Sequence, residues 1–287
     1  MTRRELRISG AGAQDHNRWL FGEDLFSINK ISCSSIPPEL FVSGVMLHPL
    51  PGISNGKPLF IVPSAGSSPL SLFDLARQLS VPALGFSFPG LEDSLPPKTS
   101  IEEMSTAFVD SVRQRQPEGP YSICGHCWGG TVALDMASKL EQAGESVDVL
   151  ILLESLPPVP SQDARSTETL DTGARTGTMN SRQALKIMLE QIDANISKLP
   201  AVLRPRFEKF CHDQIQMAGN FRAMPIDARI VLLRTPCFPR SVFNRWSMFS
   251  NNGCTDRIIP GDQFSMLHSP HVEIVASRIA EQLASSS

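Results

Sequence analysis

Residues 125–130 read Gly-His-Cys-Trp-Gly-Gly, between an apolar run and a segment of helical periodicity. A nucleophile set between glycines at such a junction sits on a sharp, strained strand-to-helix turn. Gly125 and Gly129 let strand and helix approach where side chains would collide, and Gly130 adds room. The nucleophile then lies at a helix N-terminus, where free N–H groups and the helix dipole favour an anion. For Cys127 this implies a lowered thiol pKa and a larger thiolate fraction. Cys127 is therefore expected to react with iodoacetamide faster than the other five of the six cysteines. Nucleophilic, covalent catalysis is the chemistry such a turn serves. The blander alternative is that Cys127 is a small buried hydrophobe.

The same stretch supports a rival reading. Cys124-Gly125-His126-Cys127 is, letter for letter, the disulfide-exchange motif of protein disulfide isomerases. Domains of that kind are about 100 residues long with the motif near their start and a tryptophan before the first cysteine. Here the motif lies in the middle of a 287-residue chain, Ser122 and Ile123 precede it, and the Gly129-Gly130 pair suits an elbow rather than a redox helix.

Such a turn needs a parallel sheet to position it, and the surrounding periodicity supplies one. Pro58–Pro63, Val81–Phe88, Tyr121–Cys124, Val147–Leu153 and Ala228–Leu233 read as apolar strands. Leu70–Leu79, Ile101–Gln116, Gly129–Ala143 and Pro270–Leu283 read as helices between or after them, the second begun by Ser100 with Glu103 completing a capping box. Strands alternating with helices of this length imply βαβ units in an α/β fold. Residues 1–40 read as an extension or linker and residues 41–287 as the domain. The alternation breaks over about residues 156–225, which read as a lid: a Pro/Ser/Thr-rich loop, then helices near Ser181–Ile196 and Leu203–Ala218. Met188, Leu189, Ile192, Leu199 and Phe207 are expected to line an apolar chamber over Cys127.

Composition narrows the function classes. Hydrophobic residues form 41% of the chain before its 19 glycines are counted, an ordinary globular share. A net charge of −3 offers nothing to attract nucleic acid. No apolar run reaches the roughly 18 residues of a membrane span. The N-terminal arginines precede no apolar stretch, so no secretory signal is read there. The scattered cysteines suggest no disulfide framework and no metal site, and a reducing cytoplasm is the expected setting.

The stretch Gln116–Gly130 resembles the thioesterase domains that end animal fatty acid synthases, polyketide synthases and peptide synthetases. So do PLFIVPSAG (58–66), LSVPALGFSFPGL (79–91), SIEEM (100–104) and IIPGDQFSML (258–267). The resemblance covers about residues 57–285 and implies an α/β-hydrolase fold: a mostly parallel sheet flanked by helices, with a helical lid insertion. It also implies a Ser–Asp–His triad, and every member is substituted. Cys127 stands at the serine position, Glu154 at the acid position and Gln263 at the histidine position; His268 is the base if the register shifts by five residues. Donors to the reacting oxygen are implied in the loop Pro63–Gly66, with Ala65 and Gly66 as candidates, and at the Trp128 amide. His126 is implied to point away from the reacting face, and His212 reads as a structural helix residue.

The resemblance implies an acyl-releasing enzyme whose substrate arrives on the phosphopantetheine arm of an acyl or peptidyl carrier protein, with no other cofactor and no metal. A thiolate needs no base to attack, but water does, and Gln263 cannot accept a proton. Release by cyclisation or transfer is then favoured over hydrolysis, since a nucleophile within the chain gains from proximity. A non-hydrolytic cyclase or isomerase, or an inactive relative that binds acyl chains, also fits these residues.

Overall fold

The computed structural model describes residues 46–90, 97–160, 197, 201, 204–238 and 240–284. Its frame is a seven-stranded sheet. The strands are β1 (Leu47–Pro49), β2 (Leu59–Val62), β3 (Ala83–Phe86), β4 (Tyr121–His126), β5 (Val147–Leu153), β8 (Arg229–Arg234) and β9 (Cys254–Ile258). They lie in the order β1-β3-β2-β4-β5-β8-β9. Only β1 runs antiparallel to its neighbour; all other pairings are parallel. This is the mostly parallel, helix-flanked sheet of the α/β-hydrolase fold. Two short strands, β6 (Val159–Pro160) and β7 (Arg222–Ala223), pair separately at the two ends of the lid.

Alternation along the central strands divides the core into two layers. One face takes Phe60, Val62, Ile123, Leu150 and Leu152 and packs against α2 (Ile101–Arg115) and α3 (Gly129–Gln142). The other takes Leu59, Ile61, Cys124, Val149 and Ile151 and packs against α1 (Phe73–Gln78) and α6 (Val272–Ala284). Both faces are covered, which is why these strands are apolar without alternation in sequence.

Local signals decide where helices begin. The Ser100 hydroxyl caps α2 by accepting from the Glu103 N–H at 3.1 Å. The Glu103 carboxylate reaches back to the Thr99 N–H at 3.0 Å rather than to Ser100, so the box closes one residue early. The expected helix over Leu70–Leu79 is split into a 3-10 turn, Pro69–Leu72, and α1.

Sequence periodicity misses β1, β9 and α5 (Arg240–Trp246). The exposed edge strand β9 reads Cys-Thr-Asp-Arg-Ile and has no buried residue, so it carries no apolar signature. Of the lid, the structure describes α4 (Arg204–Asn220) and the strands at its ends. Met188, Leu189, Ile192 and Leu199 lie outside the described residues. Phe207 is buried, with Cys211, Gln214 and Met217 on the same face of α4. Among the described residues no helix is long and apolar enough to cross a membrane.

Candidate active site

The site lies at the carboxyl ends of β4, β5 and β8, where crevices form in open α/β sheets. Each strand end is tied to its neighbour. The Cys127 N–H donates to the Leu153 carbonyl at 2.8 Å, the Glu154 N–H to Leu233 at 3.0 Å, and the Ile259 N–H to Arg234 at 2.9 Å. These bonds stack three turns side by side. Cys127 (φ 53°) and Glu154 (φ 49°) are the two non-glycine residues with left-handed backbone among the described residues. Such a conformation costs a side-chain-bearing residue free energy and persists only where surrounding structure imposes it.

The elbow glycines act through close approach. A Cβ on Gly125 would lie 2.5 Å from the Gly130 Cα, and one on Gly129 would overlap the carbonyl oxygens of Pro63 and Val62. The loop after β2 is thereby pressed against the first turn of α3.

Gln263 faces the nucleophile position: its Nε2 donates to Cys127 Sγ at 2.9 Å, and both side chains are buried. Its main-chain carbonyl lies 2.9 Å from His126 Nε2. His126 therefore carries its proton on Nε2, donates it to that carbonyl, and holds the Gln263 backbone in place. Burial pushes the His126 pKa down to about 4, so the ring is neutral near pH 7.

His268 is elsewhere. The loop turns at Ser265–Leu267, nucleated by Asp262, whose carboxylate accepts from the Phe264 and Ser265 N–H groups at 2.9 Å. The turn carries His268 to the side of the domain, where Nδ1 pairs with Asp74 of α1 at 2.9 Å. The five-residue shift that would make His268 the base is not what the backbone does. His212 is exposed on α4.

Glu154 is buried, and its carboxylate accepts hydrogen bonds from Thr235, just beyond β8. Burial raises its pKa, while the Thr235 bonds and Arg234 oppose the rise. The Glu154 charge is close enough to be felt at the Cys127 sulfur.

The thiol does not follow the helix-terminus expectation. Burial pushes the Cys127 thiol up to about 11, with the Glu154 charge adding to the rise. The Ser64 hydroxyl, the Trp128 N–H and the Gln263 amide all pull the other way without overcoming it. Desolvation outweighs the N-terminal N–H groups because the residue is 1% exposed. The expected order of alkylation reverses accordingly. With iodoacetamide at pH 7.5, the exposed Cys237 should be modified before Cys127. The Cys127 rate should keep rising as pH approaches about 11 instead of levelling near 9, the value for an ordinary thiol. Mass-spectrometric peptide mapping across pH reads both; early, pH-independent labelling of Cys127 contradicts the buried neutral thiol.

Of the candidate donors, the Trp128 N–H is directed at Cys127. Ala65 is buried in the loop after β2. The Gly66 N–H is already engaged by the side chain of Gln214 on α4, at 2.9 Å to Oε1. The Trp128 indole Nε1–H donates to the Gln214 carbonyl at 2.5 Å. Sequence reading passed over Gln214, although a signal was there: it is the one uncharged polar residue in the buried stripe Phe207, Cys211, Gln214, Met217.

The disulfide-exchange reading fails on geometry. Cys124 and Cys127 enter opposite core layers.

Known proteins place these features in a family. A thioesterase domain model matches residues 57–285. A non-reducing polyketide synthase of Zymoseptoria tritici is 28% identical over 280 residues, covering 90% of this chain and 12% of the synthase. An indigoidine synthase of Streptomyces lavendulae is 35% identical over 114 residues, covering 38% of this chain and 8% of that protein. The chain thus spans only a small part of the length of such relatives. Among solved structures, a Vlm2 thioesterase domain bound with a dodecadepsipeptide shares 25% identity, with a TM-score of 0.62 over 82% of this chain and 96% of that one. The NocB thioesterase domain shares the fold, with a TM-score of 0.63 at 22% identity, covering 83% of this chain and 99% of that one. Because the match runs from the loop before the elbow through the late loop that faces it, the chain belongs to the thioesterase domain family.

Proposed function

We propose that this domain accepts an acyl chain from a carrier-bound thioester onto Cys127 and gives it up to a nucleophile within the chain rather than to water. The observation that carries this reading is the Gln263 Nε2–Cys127 Sγ contact at 2.9 Å. An amide, which has no proton-accepting nitrogen, stands where a base must stand to activate water. The partner is an acyl or peptidyl carrier protein, as expected for a domain related to parts of polyketide and peptide synthases, and the phosphopantetheine arm delivers the substrate. The setting is cytoplasmic.

In the loading step, Sγ attacks the thioester carbonyl. The bond from carbon to the carrier sulfur breaks, a bond to Cys127 forms, and the thiol proton passes to the departing pantetheine sulfur. One thioester replaces another, so the step is close to isoenergetic and reversible. With the thiol near 11, only ~10⁻⁴ of it is ionised at pH 7, which makes loading slow. In release, a hydroxyl or carbon nucleophile of the chain attacks the acyl carbon. The bond to Sγ breaks, and the proton of the nucleophile returns to Cys127.

The buried, neutral thiol also gives weight to a second reading, in which the domain holds the acyl chain without covalent chemistry. Intact-mass spectrometry separates the two. Incubation with an octanoyl-pantetheine thioester at pH 9 should add one acyl mass to Cys127 and none to Cys127→Ala. No adduct at pH 9 or above, where thiolate is more abundant, sinks the covalent reading.

A further inference from the structure

Two buried hydrogen-bonding groups, one in the loop after β2 and one on α4, have no partner. One is the hydroxyl of Ser64 and the other is Nε2 of Gln214. Both residues are 1% exposed. Buried polar atoms are satisfied in the great majority of cases, so an orphan at a site points to a missing partner. Two from separate elements, one in the loop after β2 and one on a residue bonded to that loop and to the elbow, point there more strongly.

Their positions follow from contacts already described. Ser64 follows Pro63, whose carbonyl presses on the elbow at Gly129. Its hydroxyl is near enough to Cys127 to favour thiolate, without making a full hydrogen bond. Gln214 is held at two points. Its Oε1 accepts from Gly66, two residues beyond Ser64, and its main-chain carbonyl accepts from the Trp128 indole beside Cys127. These bonds also settle which end of the amide is which. A flip would set the NH₂ group against the Gly66 N–H, donor against donor. The oxygen is therefore used and the two N–H donors are left over.

We propose that Ser64 and Gln214 are the groups that read the substrate: they hydrogen-bond an oxygen carried by the acyl chain beside its thioester carbonyl, so the domain selects oxygenated acyl chains over saturated ones. The thioester carbonyl itself is served by the Trp128 N–H, which leaves these two donors for a second oxygen. A saturated chain would seal both donors away from water unpaired, and sites with buried polar groups discriminate against ligands that leave them so. Each hydrogen bond recovered corresponds to roughly a tenfold preference.

The inference rests on the acyl chain entering at Cys127, as proposed above, but its test does not need the covalent step. The probes are non-transferable amide analogues, octanoyl- and 3-oxooctanoyl-pantetheine with the thioester sulfur replaced by NH. Their dissociation constants are measured by calorimetry on the unaltered chain. The 3-oxo analogue should bind at least tenfold more tightly. Gln214→Met, similar in volume, should bring the ratio to within about threefold, and Ser64→Ala should lower it too. If Gln214→Met fails to fold, Ser64→Ala still decides. Equal affinity for the two analogues, no measurable binding of either, or a ratio untouched by the variants overturns the proposal. A retained binding preference with no acyl adduct on Cys127 would overturn the covalent reading alone.

Discussion

Gln263→His should raise the hydrolysis of a simple acyl thioester by roughly 10²–10⁴-fold, the usual contribution of a positioned general base. The Nε2 atoms of glutamine and histidine lie at equal distance along their side chains. The imidazole nitrogen should therefore arrive where the amide now contacts Sγ at 2.9 Å. Two effects follow. The thiol can pass its proton to the ring, so loading no longer waits on a thiol pushed up to about 11. After loading, the ring can take a proton from water attacking the acyl-enzyme. Glu154, buried at the end of the neighbouring strand with its charge felt at Cys127, is the carboxylate expected to orient the ring and stabilise its charged form. His268→Ala should leave turnover nearly unchanged, because that ring is committed to Asp74. Gln263→Asn, which adds no base, should give no gain. Steady-state release of free thiol with pantetheine thioesters measures all three; loss of turnover in His268→Ala with no gain in Gln263→His would return the base to His268.

Gly129→Ala should destabilise the domain by on the order of 3 kcal/mol or more, a fall in melting temperature of roughly 6–12 °C. The added methyl would meet the carbonyl oxygens of Pro63 and Val62, and backbone cannot swing aside as a flexible side chain can. Relief requires the end of β2 to part from α3, which breaks the core layer both elements share. Gly219→Ala is the control. It lies in α4 with nothing within 4 Å of the new atom, so helix propensity alone acts, and stability should hold or rise by up to about 1 kcal/mol. Thermal unfolding of the three proteins gives the comparison. Equal melting temperatures for Gly129→Ala and the unaltered chain would mean that the elbow is looser than the contacts indicate.

Much of this frame is legible in the sequence because each signal has a local cause. The elbow announces itself through glycines required by backbone contact, and the central strands through unbroken apolar runs that two covered faces demand. In the late loop, Gly261-Asp262 set the register of Gln263 in the sequence, and the Asp262 side chain builds the turn beside it. What escapes is whatever depends on distant packing. Cys127 sits at a helix N-terminus, and that local feature points to an acidic thiol; its burial, with Gln263 from 136 residues away in the chain lying against the sulfur, withholds the water that the thiolate would need. Gln214 escapes for the same reason. Its polarity is visible, but the Gly66 amide that fixes its orientation lies 148 residues away in the chain. The edge strand β9 has no buried side and therefore leaves no pattern.

The division of Cys124 and Cys127 between core layers has a bearing on oxidant exposure. A redox-sensing thiol is commonly rescued from its sulfenic acid by a neighbouring resolving thiol, which closes a reversible bridge before further damage. Cys124, three positions away in the chain, is walled off on the opposite side of the sheet and cannot serve. The spacing that suggests a reversible redox couple therefore describes two independent sulfurs. Peroxide that reached the elbow would meet a nucleophile whose nearest cysteine in the sequence cannot repair it, and the burial that leaves Cys127 1% exposed doubles as its shield.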